Sequence, residues 1–260
     1  MYPVLFRIGN LGIRTYGVIL VIAFFICLYI AKWDGKRLGL SKKEVDHLAN
    51  YLLLWGLVGA RLYYALFYDP QYYFTRPWTL LFIWEGGLAI HGAIIGGIFG
   101  LYLYTRKYKY NFWTLADFVT PLLLLGQGIG RIGCFLNGCC FGRPTDKPWG
   151  VIFPKDSFAY YRYGFTPVHP TQLYEMVLDL VGFIFFWLGR RKKRFSGALF
   201  SWYLVYYGVV RFVVSVFRAD SLYIWGTGVK VAYLLSSIMI IAGIYLHFAL
   251  KNKDKNLKGT

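Results

Sequence analysis

Tyr16-Gly-Val-Ile-Leu-Val-Ile-Ala-Phe-Phe-Ile-Cys-Leu-Tyr-Ile-Ala31 runs without a charge and is followed at once by Lys32-Trp-Asp-Gly-Lys36-Arg37. About 20 helical residues cross a hydrocarbon core about 30 Å thick, so this run reads as a membrane span with a basic end. No small-residue cleavage site follows it, so it reads as a retained first span and not as a removed signal. Further apolar runs cover residues 48–67, 89–103, 115–132, 173–188, 198–216 and 229–250, the third and fifth of the set being short. At that density of spans only helices satisfy their own backbone hydrogen bonds. The expected fold is an all-α membrane protein: a polytopic bundle of about seven transmembrane helices with elaborated outer loops. Residues 1–260 read as a single integral membrane domain.

Composition agrees. Apolar residues make up 57% of the chain and charged residues 16%, with a mean hydropathy of +0.46, outside the range of soluble domains. The net charge of +17 would suit a nucleic-acid binder, but its distribution does not. Most of the lysines and arginines fall in segments 32–43, 106–109, 190–194 and 251–258. These are alternate inter-helix loops plus the tail, the positive-inside pattern, which sets the N-terminus outside and the C-terminus in the cytoplasm. The basic excess is topology signal and attraction to anionic headgroups, and no nucleic-acid partner is expected. Arg61, Arg131, Arg143, Arg211 and Arg218 lie within helices or on the outer side, where topology does not explain them.

Two outer loops stand out. Residues 68–87 are rich in tyrosine, tryptophan and phenylalanine, which favour the headgroup interface. Residues 134–170 carry five prolines and read as irregular backbone over the outer mouth of the bundle. Glycines at every fourth position in Gly92-Ala-Ile-Ile-Gly96-Gly-Ile-Phe-Gly100, and again at Gly126 and Gly130, predict close helix–helix seams.

Polar residues at the outer membrane level are the candidates for chemistry, because charge near hydrocarbon is costly. Glu85-Gly-Gly-Leu-Ala-Ile-His91-Gly92 sets a histidine at the start of the third span, and histidine is the side chain suited to accept a proton near neutrality. Gly130-Arg131 ends the fourth span. Tyr207-Gly-Val-Val-Arg211-Phe precedes Arg218 by two helical turns, which predicts that Arg211 and Arg218 share a face. Arginine's planar fork suits phosphate, so these residues would hold a phospholipid headgroup. His169-Pro-Thr-Gln172-Leu-Tyr174-Glu175 opens the fifth span with a cap-like Thr171 and an acid that suits a helix N-terminus or a partner arginine. Arg14-Thr-Tyr16-Gly17 opens the first span with a hydrogen-bonding tyrosine.

Cys134, Cys139 and Cys140 do not make a zinc pattern, since no second ligand pair follows at a usual spacing. No metal and no cofactor are expected. Three readings stay open for the cysteines: small buried thiols, a disulfide of Cys134 with Cys139 or Cys140 on the oxidising side, or a reactive thiol beside arginines.

These motifs occur together and in this order, with Gly130-Arg131-Ile-Gly-Cys-Phe-Leu-Asn137-Gly among them, and over nearly the whole chain they resemble the bacterial prolipoprotein diacylglyceryl transferase family. The resemblance implies an enzyme of the bacterial cytoplasmic (inner) membrane with its active site toward the outer side. Such an enzyme moves the diacylglyceryl group of phosphatidylglycerol to the lipobox cysteine thiol of an exported preprolipoprotein. A thioether forms and glycerol phosphate leaves. The partners implied are phosphatidylglycerol, the preprolipoprotein signal peptide and membrane lipid. The resemblance further implies that Arg131 and Arg211 bind the lipid phosphate and stabilise the leaving group. His91 matches the family's histidine and is implied to help deprotonate the thiol. Tyr16, Asn137, Gly142 and Tyr207 match other positions on which the family's activity depends, and Arg218 is grouped with them as a substrate contact.

The chain departs from the commoner family signature in three places. Cys134 stands in place of asparagine, and Cys139 and Ser215 each stand in place of a glutamate. With both carboxylates gone, His91 is expected to take the proton, or the arginines alone to lower the thiol pKa. Two alternatives keep the fold and change the chemistry: a phospholipid-dependent transferase with another acceptor, or a membrane thiol-redox protein using Cys134, Cys139 and Cys140.

Overall fold

A computed structural model describes residues 4–8, 11–68, 70–82, 87–155, 157–192, 194–219, 228 and 230–258, with backbone alone for 4–8 and 11–14. Its long helices are α1 (Thr15–Gly35), α2 (Lys42–Phe67), α4 (Ile90–Tyr108), α5 (Phe112–Leu136), α7 (Thr171–Gly189), α8 (Ala198–Phe217) and α9 (Val231–Lys258). Two single-layer pieces, α3 (Pro70–Thr75) and α6 (Phe158–Tyr163), lie in the loops. Each long helix matches one expected apolar run. Among the described residues a hairpin leads into α1, with β1 (Val4–Ile8) antiparallel to β2 (Leu11–Arg14).

Among the described residues, five helices are long and apolar enough to cross a membrane: Thr15–Leu38, Phe112–Leu136, Thr171–Gly189, Ala198–Phe217 and Val231–Leu257. The protein is a multi-pass membrane protein. Helices α2 and α4 are of similar length but less apolar, because α2 carries Lys42, Lys43, Glu44, Asp46 and Arg61 and α4 carries Arg106 and Lys107 beside several glycines and tyrosines. The described residues divide into two compact units, Met1–Tyr29 with Asp117–Thr260, and Ile30–Ala116.

The smaller unit is built on α2 and α4. Ser41 and Glu44 close a capping box at the start of α2, each side chain accepting from the other's backbone N–H, which satisfies donors a helix start leaves open. The expected glycine seam is present here. A Cβ on Gly92 or Gly96 would strike the backbone of α2 at the Gly59 and Trp55 carbonyls, and one on Gly100 would come within 2.6 Å of the Tyr51 carbonyl. Arg61, which topology left unexplained, is buried and donates to the carbonyls of Thr79 (2.6 Å), Phe82 (3.0 Å), Leu80 (3.1 Å) and Gly87 (3.2 Å). It therefore shapes the aromatic loop after α2, whose Asp69 and residues 83–86 lie outside the described residues.

The larger unit holds α5, α7, α8 and α9. The Gly197 N-cap of α8 has no side-chain cap of its own. Asp117 of α5 supplies one, accepting from Gly197 N and Phe200 N at 2.8 Å each. At the other end of α8, the buried Lys230 donates to the Ser215 carbonyl at 2.5 Å and the Arg218 carbonyl at 3.1 Å. Gly208 and Gly243 let α8 and α9 close together, Cβ atoms there meeting Ile240 at 2.8 Å and the Ser201 carbonyl at 2.7 Å. On α5 the expected seam is displaced. Cβ atoms at Gly126 and Gly130 would make only ordinary 3.6 Å contacts, whereas at Gly133 one would press on the Tyr16 ring at 2.9 Å.

The long loop after α5 is more ordered than its prolines suggest. Isolated bridges join Pro144 and Val151 to Val168 and join Gly142 to Arg218. They enclose a small core of Phe141, Phe153, Ala159, Val168 and Ala219. The backbone of this loop is largely irregular, as expected, yet it encloses an apolar interior of its own.

Candidate active site

Three helices of the larger unit bring charge together at one point. Arg131 projects from the last turns of α5, Glu175 from the second turn of α7, and Tyr207 and Arg211 from α8, one turn apart. The Arg131 guanidinium is ion-paired to Glu175 Oε1. Arg211 Nη1 donates to Glu175 Oε2 at 3.1 Å and to Oε1 at 3.4 Å, and the Tyr207 hydroxyl reaches Oε1 at 3.4 Å. Glu175 is sealed, with 2% of its side chain exposed, while 16% of Arg131 and 25% of Arg211 remain accessible. Two guanidinium groups around one carboxylate carry a net single positive charge, so the accessible guanidinium edges present a site for one more anion. A charge-assisted fork of this kind suits the oxygens of a phosphate.

The sequence placed Arg131, Arg211 and Tyr207 near this point but left Glu175 undecided between helix-end acid and arginine partner. It is the partner of both arginines. Asp179, one turn further along α7, was not singled out. It is fully buried, and neither carboxylate oxygen has a hydrogen-bond partner among the described residues. The available signal was its place four residues after Glu175 inside an apolar run.

The cysteine-bearing turn lies against the same arginine. Arg131 Nη1 is 4.0 Å from Cys134 Sγ, and the sulfurs of Cys134, Cys139 and Cys140 all lie within 4.8 Å of one another. All four cysteines of the chain are unbridged thiols. Of the three open readings the disulfide is not formed, and the thiols of Cys134, Cys139 and Cys140 converge. Two side chains of α7 hold the turn: Thr171 Oγ1 donates to the Cys140 carbonyl and Gln172 Nε2 to the Cys139 carbonyl, both at 2.6 Å. Thr171 is thus a clamp on this turn and not the cap its position suggested; Pro170 occupies the N-cap without a side-chain bond. Cys140 adopts φ of 61°, a left-handed conformation uncommon outside glycine, which these two bonds help maintain. Thiol hydrogen bonds from Cys134 and Cys139 hold the Cys140 thiol below its ordinary range against burial, assisted by the charges of Arg218 and Arg131.

The other expected residues fall as follows. Tyr16 packs its ring on Gly133, next to Cys134. Asn137 continues the last turn of α5, its N–H donating to the Gly133 carbonyl at 3.0 Å. Gly142 donates to the His169 carbonyl at 2.9 Å, and a Cβ there would collide with His169 at 2.5 Å and with its carbonyl at 2.6 Å. Glycine is required here by close backbone approach. His169 pairs with the Tyr174 hydroxyl at 3.0 Å, and its pKa is lowered by partial burial and by Lys147. Arg218 corrects one expectation. It does not share a helix face with Arg211, because α8 ends at Phe217 and Arg218 is extended, bridged to Gly142. Ser215, where a glutamate was absent, turns its hydroxyl back to the Arg211 carbonyl at 2.6 Å. His91 belongs to the smaller unit, in the first turn of α4, half-buried with its ring 5.8 Å from that of Tyr63. Glu85 and Gly86 of its motif lie outside the described residues.

Fold and site together define a multi-pass helical membrane protein with a buried arginine–carboxylate–arginine centre drawn from three helices. The sequence model of the family described as prolipoprotein diacylglyceryl transferase matches residues 3–249. The chain belongs to that family. Among its relatives, the phosphatidylglycerol–prolipoprotein diacylglyceryl transferase of Thermotoga maritima is 40% identical over 258 residues, covering 96% of this chain and 85% of the relative. The protein of the same name from Bordetella avium is 38% identical over 250 residues, covering 94% and 92%. That of Solidesulfovibrio magneticus is 37% identical over 260 residues, covering 98% and 96%.

Proposed function

We propose that this protein transfers the diacylglyceryl group of phosphatidylglycerol to the lipobox cysteine thiol of exported preprolipoproteins, forming a thioether and releasing glycerol phosphate. The observation that carries the reading is the Arg131–Glu175–Arg211 cluster, sealed on its acid and accessible on its bases, in a chain of this family. A phosphodiester carries one negative charge, the amount the cluster has left to balance. As the bond from glyceryl carbon to phosphate oxygen breaks, charge grows on the departing phosphate, and fixed guanidinium groups stabilise it without reorganising. Tyr207, one turn before Arg211, adds a hydroxyl to the same point.

Tyr16, Asn137, Gly142 and Arg218 are assigned to substrate binding around the cysteine-bearing turn, and His91 to acceptance of the thiol proton. Residues 1–260 form one integral membrane domain of seven spans in the bacterial inner membrane, α2 and α4 included, with the N-terminus and the active site outside and the C-terminus in the cytoplasm. The partners are lipid and signal peptide, and nucleic acid is not among them. The relatives' names support this reading and add nothing to the alternatives of another acceptor or a thiol-redox protein. The test is mass spectrometry of a lipobox peptide incubated with the purified protein and phosphatidylglycerol. A diacylglyceryl mass increase is expected, absent when the peptide cysteine is serine; an unmodified peptide would overturn the assignment.

A further inference from the structure

Cys134, Cys139 and Cys140 have no role in the mechanism above, yet the fold brings them together. Their sulfurs lie within 4.8 Å of one another, on a turn pinned by Thr171 and Gln172 with one residue in a left-handed conformation. Strained backbone that the surroundings over-determine is a mark of functional sites. Zinc–thiolate bonds of about 2.3 Å set tetrahedral sulfurs about 3.8 Å apart, so closing the three thiols on one ion needs sulfur shifts of only about 1 Å. Cys134 is buried, while Cys139 and Cys140 are half-buried and so remain partly accessible. Spacing in the sequence argued against zinc because a fourth protein ligand was missing. For a catalytic zinc that vacancy is the usual arrangement, three protein ligands and one open position.

We infer that Cys134, Cys139 and Cys140 bind one zinc ion as a three-thiolate site whose open fourth position takes the acceptor cysteine of the peptide substrate. This rests on the proposed transferase reading. A thiol that coordinates zinc loses its proton, here to water or buffer in place of His91, and presents a thiolate without needing a neighbouring carboxylate. The thiolate sulfur then attacks the glyceryl carbon bearing the phosphate. A C–S bond forms, the C–O bond breaks, its electron pair leaves on the phosphate oxygen, and zinc keeps its oxidation state. The thioether product is a weaker ligand and departs. Arg131 joins the two halves of the site, since one guanidinium nitrogen faces Cys134 and the other holds Glu175.

The experiment uses the full chain in phosphatidylglycerol nanodiscs, purified without chelator, with metal content and lipidation measured in parallel. One zinc per chain is expected, falling at least about tenfold in occupancy in Cys134→Ser, Cys139→Ser and Cys140→Ser, each checked for retained helicity. Cobalt replacing the zinc should show thiolate charge-transfer absorption that changes with a cysteine lipobox peptide and not with its serine counterpart. Chelator-stripped wild-type protein should lose lipidation and regain it with added zinc, a control independent of any variant. Metal-free protein that lipidates at full rate, or a cobalt spectrum indifferent to the peptide, overturns the inference and leaves the transferase reading standing. A peptide-sensitive metal site in a protein that never lipidates sinks the transferase reading instead.

Discussion

Glu175 is where a single side chain decides the most. Its carboxylate is sealed between two guanidinium groups, and removing one partner of a buried ionic cluster costs about 3–5 kcal/mol because the charge left behind is uncompensated. Glu175→Gln keeps the shape and removes the charge, so the protein should melt several degrees lower in phosphatidylcholine. Phosphatidylglycerol supplies an anion to the same arginines and should recover much of that loss; equal melting in both lipids would argue against a phosphate site there. Arg131→Lys and Arg211→Lys retain charge but lose the planar fork. Each should lower kcat for lipidation by about 10²–10³, the scale of removing one transition-state donor, as read by single-turnover kinetics. The arginines were legible in the sequence, because charge in an apolar run announces itself. Glu175 was visible but ambiguous, since an acid near a helix start has a sufficient local reason to be there, and only the packing of α5 and α8 against α7 shows that it has a larger one.

Among the helices, identical patterns carry different constraints. Gly96 and Gly126 each sit in a four-residue glycine repeat. A side chain at Gly96 would strike the Trp55 carbonyl, while at Gly126 the nearest atom is Cys27 Sγ at 3.6 Å. Gly96→Val should therefore abolish monodisperse protein in size-exclusion chromatography, whereas Gly126→Ala should elute and melt like wild type. Helix α8 is held at its start by a residue 80 positions away, since Asp117 accepts from Gly197 and Phe200. Asp117→Ala removes a cap worth about 1–2 kcal/mol and should lower the Tm measurably. Existence and extent of the helices followed from hydropathy; caps and seams did not. A repeat of small residues says that a helix can approach a neighbour, and only the neighbour's backbone decides whether it does. The apolar interior of the loop after α5 escaped for a related reason: its core of Phe141, Phe153 and Val168 is assembled from positions too scattered to show a period.

At the scale of the molecule, basic loops and apolar runs predict an outward N-terminus and seven crossings. The two of these that are less apolar, α2 and α4, are joined to each other by the glycine seam. Reporter fusions test the arrangement: alkaline phosphatase joined after Arg76 or Lys147 should be active, and a fluorescent protein joined after Lys258 should fold. Inactive phosphatase at Arg76 would mean that α2 does not cross. The whole chain also shows one economy of parts with a genetic consequence. Arg131 faces Cys134 with one nitrogen and Glu175 with the other, so the cysteine turn and the buried carboxylate share a single residue. Substitutions at Cys134 and Glu175 should be strongly epistatic, with double-mutant effects far from the sum of the singles. In drifting populations, viable changes on the two sides should then arise as matched pairs, which individual scanning of either side would score as intolerant.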